Sequence, residues 1–106
     1  MVMRAEIWLV NVDKALGSVK HESRPCVIVS PDEMNEHLDT VLAAPMSTGD
    51  LAAPFRVAVD FMKKDGLILL DQTCVLDKAR LIRKLGSVTD KTMTETLDVL
   101  QEIFAQ

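Results

Sequence analysis

From Glu6 to Val88 the apolar residues of this chain fall in short, largely β-branched runs, and only from Thr89 do they recur at the helical period. That change of period limits the fold, because a strand pattern and a helix pattern bury different sets of side chains. Glu6-Ile7-Trp8-Leu9-Val10 reads as a first strand. Asn11 to Ser23 follows as a polar stretch with Gly17-Ser18 inside it. It is long for a connection in a compact domain, and loops of that kind are often functional. Pro25 suits the opening of a strand, where no ladder donor is needed. Cys26-Val27-Ile28-Val29 has the unbroken apolar character of a strand covered on both faces. Ser30-Pro31-Asp32-Glu33 predicts a helix start, with Ser30 as the capping hydroxyl and Pro31 at the first helical position. That helix is short, because Thr40 to Ala44 reads as the next strand.

Beyond a loop at Pro45 to Asp50, Phe55-Arg56-Val57-Ala58-Val59 alternates with period two. Lys63-Lys64-Asp65-Gly66 reads as a hairpin turn, with Gly66 supplying positive φ. Leu67 to Leu70 continues as a buried strand into Asp71-Gln72, Asp77-Lys78-Ala79 as a brief helical turn, and Leu81 to Val88 as a last strand. Met93, Leu97, Leu100 and Phe104 then mark one apolar helix face, expected to face the core. With no alternation of strands and helices, a parallel sheet is not expected. The expected class is mainly β (α+β): a small, largely antiparallel barrel or strongly curled sheet with short helices and a C-terminal helix.

Composition narrows what such a fold can do. The chain has 106 residues, 48% hydrophobic and 26% charged, which fits one globular domain spanning 1–106 rather than disorder. No apolar run approaches the roughly 18 residues of a membrane span. Met1-Val2-Met3-Arg4 lacks the basic and apolar regions of a secretory signal, so a soluble, cytoplasmic protein without a membrane partner is expected. Twelve Lys and Arg against 16 Asp and Glu give a net charge of -4, which argues against a general nucleic-acid binder. Cys26 and Cys74 are too few and too separated for a disulfide framework or a metal knuckle, and both are expected as buried free thiols. No metal-ligand pattern, Gly-rich phosphate loop or GxSxG elbow is present, so no metal or cofactor is expected.

The polar groups at strand ends are the candidates for chemistry: Arg24 before Pro25, Ser47 and Thr48 after Pro45, and Asp71-Gln72 interrupting an apolar strand, where a carboxylate needs a partner. They occur within an ordered series. Glu6-Ile7-Trp8, Gly17-Ser18, Arg24-Pro25, Ser30-Pro31, Ala44-Pro45 with hydroxyls after it, Pro54-Phe55, Asp65-Gly66, Asp71-Gln72 and Asp77-Lys78-Ala79-Arg80-Leu81 follow one another with family-like spacing. The chain thereby resembles, from Arg4 to the terminal helix, the MazF/PemK (Kid) toxins of bacterial type II toxin–antitoxin systems.

That resemblance implies an SH3-like barrel, a homodimer, and a metal-independent, sequence-specific endoribonuclease acting on single-stranded RNA. Attack by the 2′-OH would leave a 2′,3′-cyclic phosphate and a 5′-hydroxyl. It implies a cognate antitoxin with an acidic, disordered C-terminal segment, and contact with DNA only through that antitoxin. The family's catalytic arginine matches Arg24, a fixed cation with forked donors suited to a phosphate gaining charge. Its catalytic threonine matches Ser47, with Thr48 in support, and a carboxylate implicated in the Kid branch matches Asp71. Gln72 would help position RNA, and Lys14, Lys20, Lys78 and Arg80 would supply a local cationic surface.

The chain also departs from the family. Val19 stands where many members have an acid, which leaves His21 or Glu22 as the base. Cys74 replaces a frequent Arg or Lys, and Ala5 a common Gly. Two other readings are a CcdB-like gyrase-poisoning toxin of the same fold, whose C-terminal Trp this chain lacks, and a catalytically weakened antitoxin-binding homologue. With one Trp, three Phe and no Tyr, no extended stacking platform for RNA is expected.

Overall fold

The computed structural model describes residues 1–13 and 21–106. Among them, strands β1 (Glu6–Asp13), β2 (His21–Ile28), β3 (Thr40–Ser47), β4 (Arg56–Phe61), β5 (Lys64–Leu69), β6 (Cys74–Asp77) and β7 (Leu81–Ser87) form one curled, wholly antiparallel sheet. Its order is β4-β5-β3-β2-β1-β7, with β6 also on β3. Helices α1 (Asp32–His37) and α2 (Asp90–Phe104) complete the fold, with 3₁₀ turns at Leu70–Gln72 and Lys78–Arg80. No helix among the described residues is long and apolar enough to cross a membrane.

Strand β3 is the branch point. Its first half pairs with β6 (Thr40↔Asp77 to Ala43↔Cys74), and its last residues pair with β5 (Met46↔Ile68, Ser47↔Leu67). Because side chains alternate across a strand, β1 to β3 bury both faces. Ile7, Val27, Ala44 and Met46 join Val57, Ile68, Val88 and Met93 in one core, and Val10, Cys26, Ile28, Val41 and Ala43 form a second. This is the two-sided burial expected of Cys26 to Val29.

Several local expectations change. The Asn11–Ser23 stretch is not all loop, for the β1–β2 ladder extends through Asn11↔Ser23 and Val12↔Glu22 to Asp13↔His21. Pairing between two polar arms needs no apolar pattern, so hydropathy does not mark it. Arg24 and Pro25 therefore lie inside β2, not at its mouth. Ser30 does not cap α1; Pro31 holds the cap position, and the buried Ser30 hydroxyl donates to Asn35 while accepting from the Leu42 amide at 3.0 Å. Thr89 does cap α2, accepting from the Thr92 amide at 3.1 Å. Of the α2 face, Met93 is buried and Leu97 and Leu100 pack on the core, but Phe104 at the helix end is 81% exposed. Cys26 is buried and Cys74 is exposed, because β6 is a short strand whose only described partner is β3.

The β4–β5 hairpin turns two residues earlier than the sequence suggests. Phe61 pairs with Lys64, so Met62 and Lys63 form a two-residue turn, both left-handed (φ 53° and 62°). Gly66 lies within β5 and serves a different need. A Cβ built on it would sit 2.9 Å from the Ser47 carbonyl oxygen, so only glycine lets β5 approach β3 there.

Candidate active site

Two prolines open the site. Strands β2 and β3 pair only from Cys26↔Pro45 to Ile28↔Ala43. Pro25 precedes that first pair on β2, and Pro45 is its member on β3. Neither has an N–H to extend a ladder. Past this point β2 continues against β1 alone, while Met46-Ser47 crosses to β5. The strands separate, and a cavity of about 490 Å³ opens between them. Strand β2 contributes Arg24 and Pro25, and β3 with the residue after it contributes Met46, Ser47 and Thr48. The β4–β5 hairpin closes the third side with Val59, Phe61, Met62, Lys64 and Gly66.

The half-buried Arg24 spans the split, donating from Nη2 to the Met46 carbonyl at 3.3 Å. That bond holds one corner of the guanidinium at the end of β3, one residue from Ser47. The Ser47 hydroxyl accepts from the Gly49 amide at 3.2 Å, which fixes its rotamer and orients its proton outward from that contact. Thr48 is exposed beside it. A fixed cation, two hydroxyls and a second cation, Lys64, thus face one space with apolar walls. That set can bind a phosphate diester, orient a hydroxyl and stabilise charge developing on phosphorus.

The remaining candidates divide. Lys14 and Lys20 lie outside the described residues, as do the side chains of His21 and Glu22, whose backbone begins β2. Asp71 is not in the cavity lining. Arg56 holds its carboxylate in a fork, Nε to Oδ1 and Nη2 to Oδ2 both at 3.1 Å. Asp71 does not interrupt the apolar strand as expected: β5 ends at Leu69 and Asp71 is exposed on the 3₁₀ turn that follows, so Arg56 holds it at the surface rather than offsetting a buried charge. The fork, more than the small opposing effect of burial, draws the Asp71 carboxyl below its ordinary value, and it raises Arg56 in turn. Arg56 also donates to the Leu51 carbonyl at 2.8 Å and stands 4.0 Å from Asp50, so it ties the loop after Thr48 to the 3₁₀ turn. Gln72 is exposed on that turn. Lys78 donates to the Asn35 carbonyl and Arg80 to the Asn11 carbonyl at 3.4 Å, both away from the cavity.

Sequence reasoning missed Phe61, Met62, Lys64 and Arg56. The signal for the first three was period two continuing past Val59 through Phe61, which moves the turn onto Met62-Lys63. Arg56 had none, since its partners lie 15 residues ahead at Asp71 and on the loop before it, at Leu51 and Asp50.

Comparison with known proteins agrees with this architecture. The "Endoribonuclease MazF" of Staphylococcus epidermidis is 32% identical over 106 residues, covering 94% of this chain and 88% of the relative. That of Staphylococcus saprophyticus subsp. saprophyticus is 35% identical over 102 residues, 90% and 84%. A solved "Endoribonuclease in complex with its cognate antitoxin from Mycobacterial species" superposes with a TM-score of 0.80 at 24% identity, covering 96% of this chain and 93% of that one. The sequence profile of the PemK-like, MazF-like toxins matches residues 3–104. With nearly the whole chain matched and the cavity built from Arg24 and the hydroxyls after Pro45, this chain belongs to the PemK-like, MazF-like toxin family of type II toxin–antitoxin systems.

Proposed function

We propose that this chain is a ribonuclease toxin that cuts single-stranded RNA by transfer of a phosphodiester onto the neighbouring 2′-oxygen. The observation that carries the proposal is the convergence of Arg24 with Ser47 and Thr48 in one cavity, from strands that separate just there. The RNA supplies its own nucleophile. Its 2′-OH attacks the adjacent phosphorus, the 2′-O–P bond forms and the P–O5′ bond breaks. A 2′,3′-cyclic phosphate and a 5′-hydroxyl result, with the 2′ proton lost to a base and a proton gained by the departing 5′ oxygen.

Arg24 supplies a forked cation to the non-bridging oxygens as they gain charge. Ser47, with Thr48 beside it, orients the phosphate or the 2′-OH; the gain from holding reacting atoms in line is large when no covalent step on the protein is needed. His21 or Glu22 takes the 2′ proton; an unshifted imidazole titrates near pH 6.5 and suits that role. Asp71 acts through Arg56, holding the loop that carries Thr48. Nothing in this sequence of steps calls for a metal. The toxin acts as a homodimer in the cytoplasm, and an antitoxin's acidic, disordered C-terminal segment restrains it by occupying the cationic cavity and ordering on binding.

The test is a digest of mixed single-stranded RNAs in EDTA, with both ends of the products mapped. Cleavage leaving 5′-hydroxyl and 2′,3′-cyclic ends is expected, and Arg24→Ala should slow it by roughly 100-fold or more. RNA left intact by folded protein would refute the reading, as would Arg24→Ala working as fast as wild type.

A further inference from the structure

We propose that the β4–β5 turn selects the nucleotide at the cleavage site: one unstacked RNA base packs on Met62 and Phe61 while Lys64 takes the adjoining phosphate. The inference rests on the ribonuclease reading and assigns that cavity a recognition wall.

Three features of this hairpin work against folding, and they coincide. Met62 and Lys63 both have positive φ, in a turn type that ordinarily uses Asn-Gly because side chains with a full Cβ strain it. Met62 is also 73% exposed, so a large apolar side chain gives up burial at the same place. Asp60 and Asp65 stand directly opposite each other, a like-charge pair that weakens a ladder. Strained backbone persists where surrounding structure fixes it, and it collects at functional sites. Here the Phe61↔Lys64 pair fixes the turn, and the exposed Met62 lies on the cavity rim.

The wall is chemically suited to a nucleotide. By strand alternation Val59, Phe61 and Lys64 share the cavity face, and Asp60 and Asp65 project from the other, so the carboxylates do not oppose an incoming phosphate. Phe61 is partly buried and offers a ring anchored in the core. Met62 is a polarisable thioether that adapts to the flat face of a ring. Across the cavity stand Arg24, Ser47 and Thr48. An apolar slot beside two cations fits a group with a flat apolar face and an adjacent anion. Single-stranded RNA presents that group wherever a base is unstacked. The space, about 490 Å³, lies in the range of small-ligand pockets, about 300–1,000 Å³, and suits one nucleotide rather than a duplex.

The experiment maps cleavage of a randomised single-stranded RNA pool by wild type, Met62→Asn, Lys64→Ala and Lys63→Ala. It is paired with binding of labelled homopolymeric oligoribonucleotides to each variant in an Arg24→Ala background. Met62→Asn suits the left-handed turn and should fold at least as well as wild type. Its products should keep the same end chemistry, while preference at one position of the cleaved sequence falls by roughly 5- to 50-fold, the scale of one lost base stack. Lys64→Ala should weaken binding to all sequences and reduce the salt slope by about 0.7, one phosphate contact. Lys63→Ala should change neither. A Met62→Asn variant with an unaltered position profile and unaltered homopolymer discrimination would overturn the proposal, as would equal loss at every position. If wild type leaves the pool intact, the ribonuclease reading fails by itself; homopolymer discrimination that Met62→Asn abolishes then still upholds the turn as a base-selecting wall, and its persistence overturns it.

Discussion

Ala5 has φ of 77°, a conformation that L-residues avoid because Cβ crowds the following carbonyl. It is held there from both sides: its amide donates to the Ile28 carbonyl and its own carbonyl accepts from the Val88 amide, each at 2.9 Å. The strain in such a residue is about 1–2 kcal/mol. Glycine would remove it, while losing about 0.4–1 kcal/mol to the greater freedom of the unfolded chain. Ala5→Gly should therefore stabilise the protein by about 0.5–1 kcal/mol, read as a raised denaturant midpoint at unchanged slope. A lowered midpoint would show that the strain is relieved elsewhere. Ala5 stands where the resemblance implies a common glycine, and the reason is a backbone angle that no side-chain pattern encodes. The cysteines separate in the same way. Burial, with a smaller contribution from Cys74 and against the pull of Arg24, pushes the Cys26 thiol up to about 11. A thiol-specific reagent at pH 8 should thus modify one group rapidly in native protein. Cys74→Ser should remove that signal, and Cys26 should react only on unfolding. Rapid reaction of Cys26 in native protein would contradict its burial in the second core.

At the scale of elements, what was legible follows from how far apart the causal residues lie. The Thr40–Ala44 part of β3, the α2 start at Thr89 and the two-sided Cys26–Ile28 part of β2 follow from contiguous residues, so the sequence shows them directly. Strand β3 runs on through Pro45, Met46 and Ser47, where a loop was expected, because β2 and β5 pair with those residues. The short strand β6 does not, since Cys74 to Asp77 is a strand only because β3 offers its edge to it. The site divides likewise. Arg24 and the hydroxyls after Pro45 were legible as a series, and the proximity of Pro25 and Pro45 that opens the cavity is a product of register. Arg56 was not, because it is defined by what it joins: Asp71 on the 3₁₀ turn and the Asp50–Leu51 segment of the loop beginning at Thr48. Arg56→Ala should release that loop. Amides from Thr48 to Ala53 should exchange faster, and kcat/KM for RNA should fall, by up to about 100-fold for a displacement near 1 Å at the reacting groups. Arg56→Lys should fail to restore it, because an ammonium cannot make the fork with Asp71 and reach Leu51 as well. Full recovery with lysine would mean that charge alone matters at this position.

Across the whole molecule, the net charge of -4 conceals how the cations are used. Lys78 and Arg80 bind backbone carbonyls, Arg4 donates to the Val29 carbonyl at 2.9 Å, and Lys84 pairs with Glu6 at 2.8 Å. Among the described residues, the cations that line the cavity are Arg24 and Lys64. Glu6 deserves the acid-stability test because its carboxylate is buried at the first residue of β1. It accepts from the Met3 amide at 2.8 Å and the Trp8 indole at 3.1 Å in addition to Lys84. Burial by itself raises its pKa, but these three donors outweigh that and hold it below the ordinary carboxylate value; Asp71 is depressed by Arg56 in the same direction. A depressed carboxyl binds fewer protons folded than unfolded, so stability rises with pH through this range. The contribution is complete above the unfolded values near pH 4 and is lost as pH falls through the lower folded values. Thermal midpoints should accordingly drop between about pH 5 and pH 3. Glu6→Gln should be less stable than wild type by about 1–3 kcal/mol at pH 7, the usual penalty when buried donors lose a charged acceptor. The two should converge as acid protonates Glu6 in the wild type. A difference that stays constant from pH 7 to pH 3 would mean that Glu6 acts through shape and not through its charge.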